Sequence, residues 1–253
     1  GTEVAGALAT RLGLAEPPLP WHTDRTPVAG IVGALGEAAG AVSGVARSIV
    51  QLAGTDLGEL HEEGPAGSGG SSTMPHKRNP VAAVSALGCA KQAPGLVADL
   101  LAAMEQEHQR AAGAWHAEWR PFTQLLRVTG AAAHWVRVSL DRVRVDAGGM
   151  RANLDRSGGL LLAERVTTEL AGAVGRLAAH DAVTACCERA RDEDLPLARV
   201  LAQDPLVGAH LSTSAIERLL DPAGYVGSAE EFVRRALDAH AGAAGAPDTT
   251  DER

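Results

Sequence analysis

Apolar positions recur at seven-residue steps along residues 28–52. Val28, Leu35, Val42 and Ile49 form one row, and Ile31, Ala38, Val45 and Leu52 form a second, three residues on. Two interleaved rows at this step predict a long helix packing in a left-handed bundle. Pro27 suits its first turn, where a missing N–H costs nothing, and Gly54 marks its end. A second helical segment is expected from Asn79-Pro80 toward Arg110, kinked at Pro94, where the ring removes a backbone donor. A third is expected after Pro121, with Phe122, Thr129, Val136 and Val143 in one row and Leu126, Ala133 and Leu140 in another. No segment alternates apolar and polar residues well enough to predict a strand. Residues 2–12 read as the late part of a helix without a cap, so the N-terminus is expected to be a cut. Three prolines at 17, 18 and 20 then make a link. Residues 1–145 are thus expected to form part of a central long-helix bundle. Three such helices leave apolar faces for other subunits to cover.

From Asp146 onward the pattern changes to shorter helices with frequent breaks. Gly148-Gly149 and Gly158-Gly159 punctuate it, and Asp204-Pro205 and Asp221-Pro222 read as turns. Ser214-Ala-Ile-Glu217 and Ser228-Ala-Glu-Glu231 fit the capping box, in which serine and glutamate satisfy each other's free backbone N–H groups. A smaller helical C-terminal domain is expected over 146–241, with a disordered tail at 242–253. The expected fold class is therefore all-α.

Composition narrows the function. A net charge of −8 on 253 residues argues against nucleic acid as the main ligand, because phosphate binding needs a basic face. No unbroken apolar run reaches the roughly 20 residues of a bilayer span, so no membrane role is expected. The three cysteines cannot make a disulfide framework, which points to a reducing cytoplasm. Cys186-Cys187 reads as core packing, and there is neither a His-Glu-x-x-His pair nor an Asp-rich calcium loop, so no metal or cofactor is expected. With 2 Phe, 1 Tyr and 3 Met, the helices must pack closely on small side chains.

Residues 64–80 carry the chemistry. Gly64, Gly67, Gly69 and Gly70 make this loop mobile by composition, and the stretch ends GSGGSSTMPHKRNP. A phosphate loop would need Gly-Lys-Ser/Thr, whereas Lys77 here stands between His76 and Arg78. A plain linker explains residues 64–70 but not the concentrated donors that follow. Glycines let such a loop open and close, and its N–H groups can cradle an anion. Lys77 and Asn79, beside a helix start, favour a carboxylate. Ser71 or Ser72 could supply an oxygen base, provided desolvation, N–H donors and Lys77 hold it as alkoxide.

Gly70-Ser-Ser-Thr-Met-Pro-His-Lys-Arg-Asn-Pro80 closely resembles the signature loop GSSxMPxKxNP of the aspartase/fumarase superfamily. Residues 20–25, 104–110, 115–119, 153–164 and 220–228 resemble its 3-carboxy-cis,cis-muconate cycloisomerase branch. The resemblance implies an all-helical homotetramer with active sites built from three subunits, acting without metal on a small polycarboxylate substrate. It implies that Ser71 is the catalytic base/acid and that Lys77 and Asn79 contact substrate carboxylates, with Ser72, Thr73 and Met74 beside them. His76, His108, Arg110 and Trp115 are further candidates, against the plainer readings of helix-end ion pairs and packing. It also implies an upstream Thr-x-x-Gln-x-Ala-like segment and a histidine that this sequence lacks. The chain is therefore expected to be the C-terminal part of a longer protein and inactive alone. Carbon–nitrogen lyases of the adenylosuccinate or nitrosuccinate type remain open, as does a non-catalytic scaffold.

Overall fold

The computed structural model describes residues 1–19, 21–65, 69–70, 73–74, 78–109 and 111–245. The fold is all-α, apart from one short two-stranded ribbon among the described residues. It divides into two compact units between Met150 and Arg151.

In the first unit, α1 (Thr2–Leu12) buries none of its residues and ends on Gly13 in the left-handed conformation. Three long helical stretches follow: α2 (Thr26–Leu52), the pair α3 (Val81–Ala90) and α4 (Ala93–Ala102), and α5 (Ala114–Arg142). Val32 and Ala39 of α2, Ala93 and Leu100 of α4, and Leu125 and Val128 of α5 form their shared core. The buried face of α3 consists of Ala82, Ala83, Ala86 and Ala90, so α3 packs closely on small side chains as the composition requires.

The seven-residue period holds, but the buried rows are shifted. Val32, Ala39 and Ala46 are buried in α2, and Leu125, Ala132 and Ser139 in α5. Val28, Leu35 and Phe122 flank this core, whereas Ile31 (49% exposed), Val45 (44%), Leu126 (45%) and Leu140 (54%) face outward. Each helix thus turns one flank of its apolar stripe into the chain and leaves the other uncovered.

Four expectations need correcting. The second segment is two helices parted at Lys91-Gln92, with Pro94 in the first turn of α4, and it ends at Ala102 rather than near Arg110. The break falls where Pro94 has no N–H to offer the preceding turn. The third helix starts at Ala114 and carries Pro121 inside it. Two strands also exist: β1 (Leu60–Glu62) pairs antiparallel with β2 (Val143–Val145), Leu60 opposite Val145 and Glu62 opposite Val143. Three-residue strands are too short to show alternation, and Val143 belongs to one of them and not to the α5 row. Finally, residues 26–52 and 81–102 are long and apolar enough to span a bilayer by length and composition, with mean hydropathies of 1.5 and 1.3. Glu37 and Arg47 interrupt the first of these without making it polar.

In the second unit α6 (Ala147–Asp155), which begins before the division, leads to α7 (Ala163–Val174), α8 (Arg176–Asp192), α9 (Leu197–Gln203), α10 (Pro205–His210) and α11 (Thr213–Leu219). Val166, Leu170, Val183, Leu197, Leu201 and Ile216 are among its core residues. Asp204-Pro205 is a helix start rather than a bare turn, whereas Asp221-Pro222 opens a single three-residue 3-10 turn over Pro222–Gly224, in keeping with the turn expected there. Asp204 accepts from the amides of Leu206 and Val207, both at 2.9 Å, and Asp221 from Ala223 at 3.3 Å. Ser212, not Ser214, caps α11 by accepting from Ala215 at 3.2 Å. Glu231 is engaged by Arg234 and Arg235. Helix α12 (Ala229–Gly245) runs past Gly242, the expected start of the tail, and 246–253 lie outside the described residues.

The cysteines carry one prediction. Cys186 is 3% exposed, and burial first, then the nearby Asp204 and Cys187, pushes its thiol up from 9.0 to about 11. The folded thiol keeps its proton to higher pH than the unfolded one. The stability this contributes is therefore complete below pH 9 and lost as pH rises through about 11. Thermal melts between pH 8 and 11 should lose stability from this source, and Cys186→Ala should show a shallower decline over the same range.

Candidate active site

Gly69 and Asn79 close the base of the signature loop. The Gly69 carbonyl accepts from both the Asn79 backbone N–H, at 2.9 Å, and its side-chain Nδ2, at 3.2 Å. Gly70 and Arg78 form an antiparallel bridge one step further in. Gly69 has φ +74°, and a Cβ there would stand 2.7 Å from the Asn79 carbonyl oxygen. Gly69→Ala therefore strains the backbone and pushes directly on Asn79. We expect it to lower turnover by at least about tenfold, through misplacement of site groups, together with a modest fall in melting temperature from the strain; unaltered kinetics would remove the loop base from the site.

Below the loop, Glu62, Glu63, Arg78, Asn79 and Arg144 line a cleft of about 380 Å³. Glu63 pairs with Arg144 at 2.9 Å. The Glu62 carboxylate takes the amides of Ala82 (2.8 Å) and Ala83 (3.2 Å) and the Ser139 hydroxyl (2.7 Å). This corrects an expectation: the positive start of α3 is already occupied by an internal carboxylate, so it is not the open anion site that the sequence pointed to.

Of the site residues named from sequence, Asn79 stands at the loop base, and Thr73 and Met74 are exposed on the loop. Ser71, Ser72, His76, Lys77 and Arg110 lie outside the described residues. His108 is not at a helix end but in the connection between α4 and α5, exposed, with φ +51°. Trp115 lies in the first turn of α5, edge-on to Trp119 at 5.5 Å between ring centroids. Together with Arg25, Glu118, Trp119 and Phe122 it lines a second cleft, of about 340 Å³.

That cleft is built on a buried ion pair the sequence reading missed. Arg25 Nε donates to Glu118 Oε1 at 2.8 Å and Nη2 to Oε2 at 2.5 Å, with both side chains 6% exposed. Arg25 Nη1 also donates to the Trp21 carbonyl at 3.0 Å, and its guanidinium lies 5.7 Å from the Trp21 ring centroid.

The two clefts are not brought together within one chain. Trp115 begins α5 and Ser139, which touches Glu62, is near its end. At 1.5 Å per residue the two ends stand about 36 Å apart. A larger cavity of about 710 Å³ lies between α7 and α8, lined among others by Arg176, His180 and Arg191, and contains none of the site residues. Among the described residues, no cluster of three His, Cys, Asp or Glu could hold a metal.

Comparison with known proteins supplies the family. Residues 2–95 match the family model described as Lyase, and residues 159–236 the one described as Adenylosuccinate lyase C-terminus. The 3-carboxy-cis,cis-muconate cycloisomerase of Pseudomonas aeruginosa is 46% identical over 237 residues, covering 94% of this chain and 52% of the relative. This chain belongs to the aspartase/fumarase superfamily. The nitrosuccinate lyase of Streptomyces davaonensis is 43% identical, covering 91% of the chain and 49% of that protein. Within the superfamily, the crystal structure of 3-carboxy-cis,cis-muconate lactonizing enzyme from Pseudomonas putida superposes with a TM-score of 0.89 at 44% identity, covering 94% of this chain and 53% of that one. The chain spans about half the length of the curated relatives it matches.

Proposed function

We propose that the complete protein is a 3-carboxy-cis,cis-muconate cycloisomerase. One substrate carboxylate adds across a conjugated double bond to close a lactone, and a proton is delivered to the adjacent carbon. The observation that carries this reading is the 46% and 45% identity to two bacterial cycloisomerases across 94% of the chain, signature loop included. In the transition state negative charge grows on a carboxylate conjugated with the reacting bond. Asn79, Lys77 and the loop N–H groups are the donors for that charge, worth most when loop closure excludes water. Ser71 is the group that exchanges the proton with carbon.

The active sites are shared among copies in a homotetramer. Two observations support this. The outward rows of α2 and α5, with Ile31, Val45, Leu126 and Leu140 exposed, are the patterned faces a larger bundle would bury. The loop base and the Trp115 cleft stand at opposite ends of α5, so one substrate can meet both only through different chains. The same burial accounts for the apolarity of α2 without a membrane. The free thiols of Cys89, Cys186 and Cys187 fit a reducing compartment, the cytoplasm.

The second reading is β-elimination from nitrosuccinate, favoured by the 43% identity to a nitrosuccinate lyase. The test is turnover of the complete gene product on 3-carboxymuconate, nitrosuccinate and adenylosuccinate separately. Loss of the conjugated-diene absorbance in the first assay is expected. Nitrite release as the dominant activity selects the second reading.

A further inference from the structure

We propose that Glu62 is the positioning residue of the loop base, holding the junction with α3 rigid so that Asn79 keeps its place. Pro80 stands as N-cap of α3 and has no side-chain acceptor, so the Ala82 and Ala83 amides need one from elsewhere. Glu62 supplies both oxygens from β1, and the fully buried Ser139 of α5 fixes the second of them at 2.7 Å. One carboxylate thereby ties together the ribbon, the helix after the loop and the longest helix of the bundle. Pro80 is itself buried, and Asn79, next to it, holds the other loop post through the Gly69 carbonyl. Slack at the start of α3 passes directly to Asn79.

The activity arm of the test rests on the proposed function, while a second arm needs no substrate. In the complete protein, Glu62→Ala should lower kcat about thirtyfold with KM moving less than about threefold, because the placement of Asn79 in the reacting complex, rather than first encounter, needs the fixed base. Added formate, a carboxylate small enough for the vacated place, should restore kcat several-fold, and Glu62→Asp should recover part of it. Hydrogen exchange in the peptide covering residues 78–84 should accelerate in Glu62→Ala and slow again with formate. If the wild type turns over none of the three substrates yet exchange responds, the activity reading fails and the positioning role stands. Unchanged exchange overturns the proposal, as does lost activity that neither formate nor aspartate restores in folded protein. Where Glu62→Ala does not fold, Ser139→Ala, which removes one of the three donors, should give a smaller acceleration at the same peptide. No acceleration there also overturns it.

Discussion

On the proposed assignment of Ser71 as the group that protonates carbon, Ser71→Ala is expected to lower kcat of the complete protein by about a thousandfold or more, as loss of a group acting on the reacting atoms should, and to leave its assembly intact. The size of the effect follows from what alanine leaves behind. The loop base joins Gly69 to Asn79 and the cap joins Glu62 to Ala82 and Ala83, so the donors proposed for the developing carboxylate charge are left in place by this substitution. On the proposed mechanism, what disappears is delivery of a proton to carbon. KM should therefore change little beside kcat. Steady-state kinetics together with sedimentation of the variant separate this from misfolding, and near-normal turnover by an intact oligomer would take the role away from Ser71.

Glu118→Ala has the largest expected effect on stability. Removing the carboxylate leaves the Arg25 guanidinium buried with the Trp21 carbonyl and ring as its remaining contacts. Breaking a buried pair in this way costs about 3–5 kcal/mol, because one uncompensated charge stays behind. For a protein of this size that corresponds to a fall in Tm of about 10 °C. Replacing both partners, Arg25→Met with Glu118→Leu, should recover most of the loss, since neither charge then needs solvation. The comparison of the two melts is the check. A shift of less than about 2 °C in Glu118→Ala would mean that the site admits water and the pair contributes little.

The same two pairs show how far the sequence could be read. The long helices were legible because a seven-residue period repeated along 28–52 leaves few alternatives. Which flank of the stripe lies inward was not legible, since that depends on neighbours and not on the period. The loop was recognisable from the spacing of Ser71, Pro75, Lys77, Asn79 and Pro80 within one short stretch. Its support was not: Glu62 lies 20 residues from the Ala82 amide it caps, and Arg25 lies 93 residues from Glu118. Both pairs join segments that only the fold brings together, and neither carries a local signal. Pro121 misled for the opposite reason: a proline is a strong local mark of a helix start, yet α5 accommodates it in its interior. Both Asp-Pro pairs carry the local signal of a turn; Asp221-Pro222 is one, while Asp204-Pro205 instead starts α10.

In the proposed reaction the complete protein closes a lactone by adding a carboxylate across a double bond. The most direct measurement is an NMR analysis of products formed from 3-carboxymuconate in D₂O. An intramolecular addition with a proton taken from the enzyme predicts a single lactone isomeric with the substrate, carrying one deuterium on the carbon next to the new C–O bond. Unconsumed 3-carboxymuconate, under conditions where the same preparation releases fumarate from adenylosuccinate or nitrite from nitrosuccinate, would contradict it.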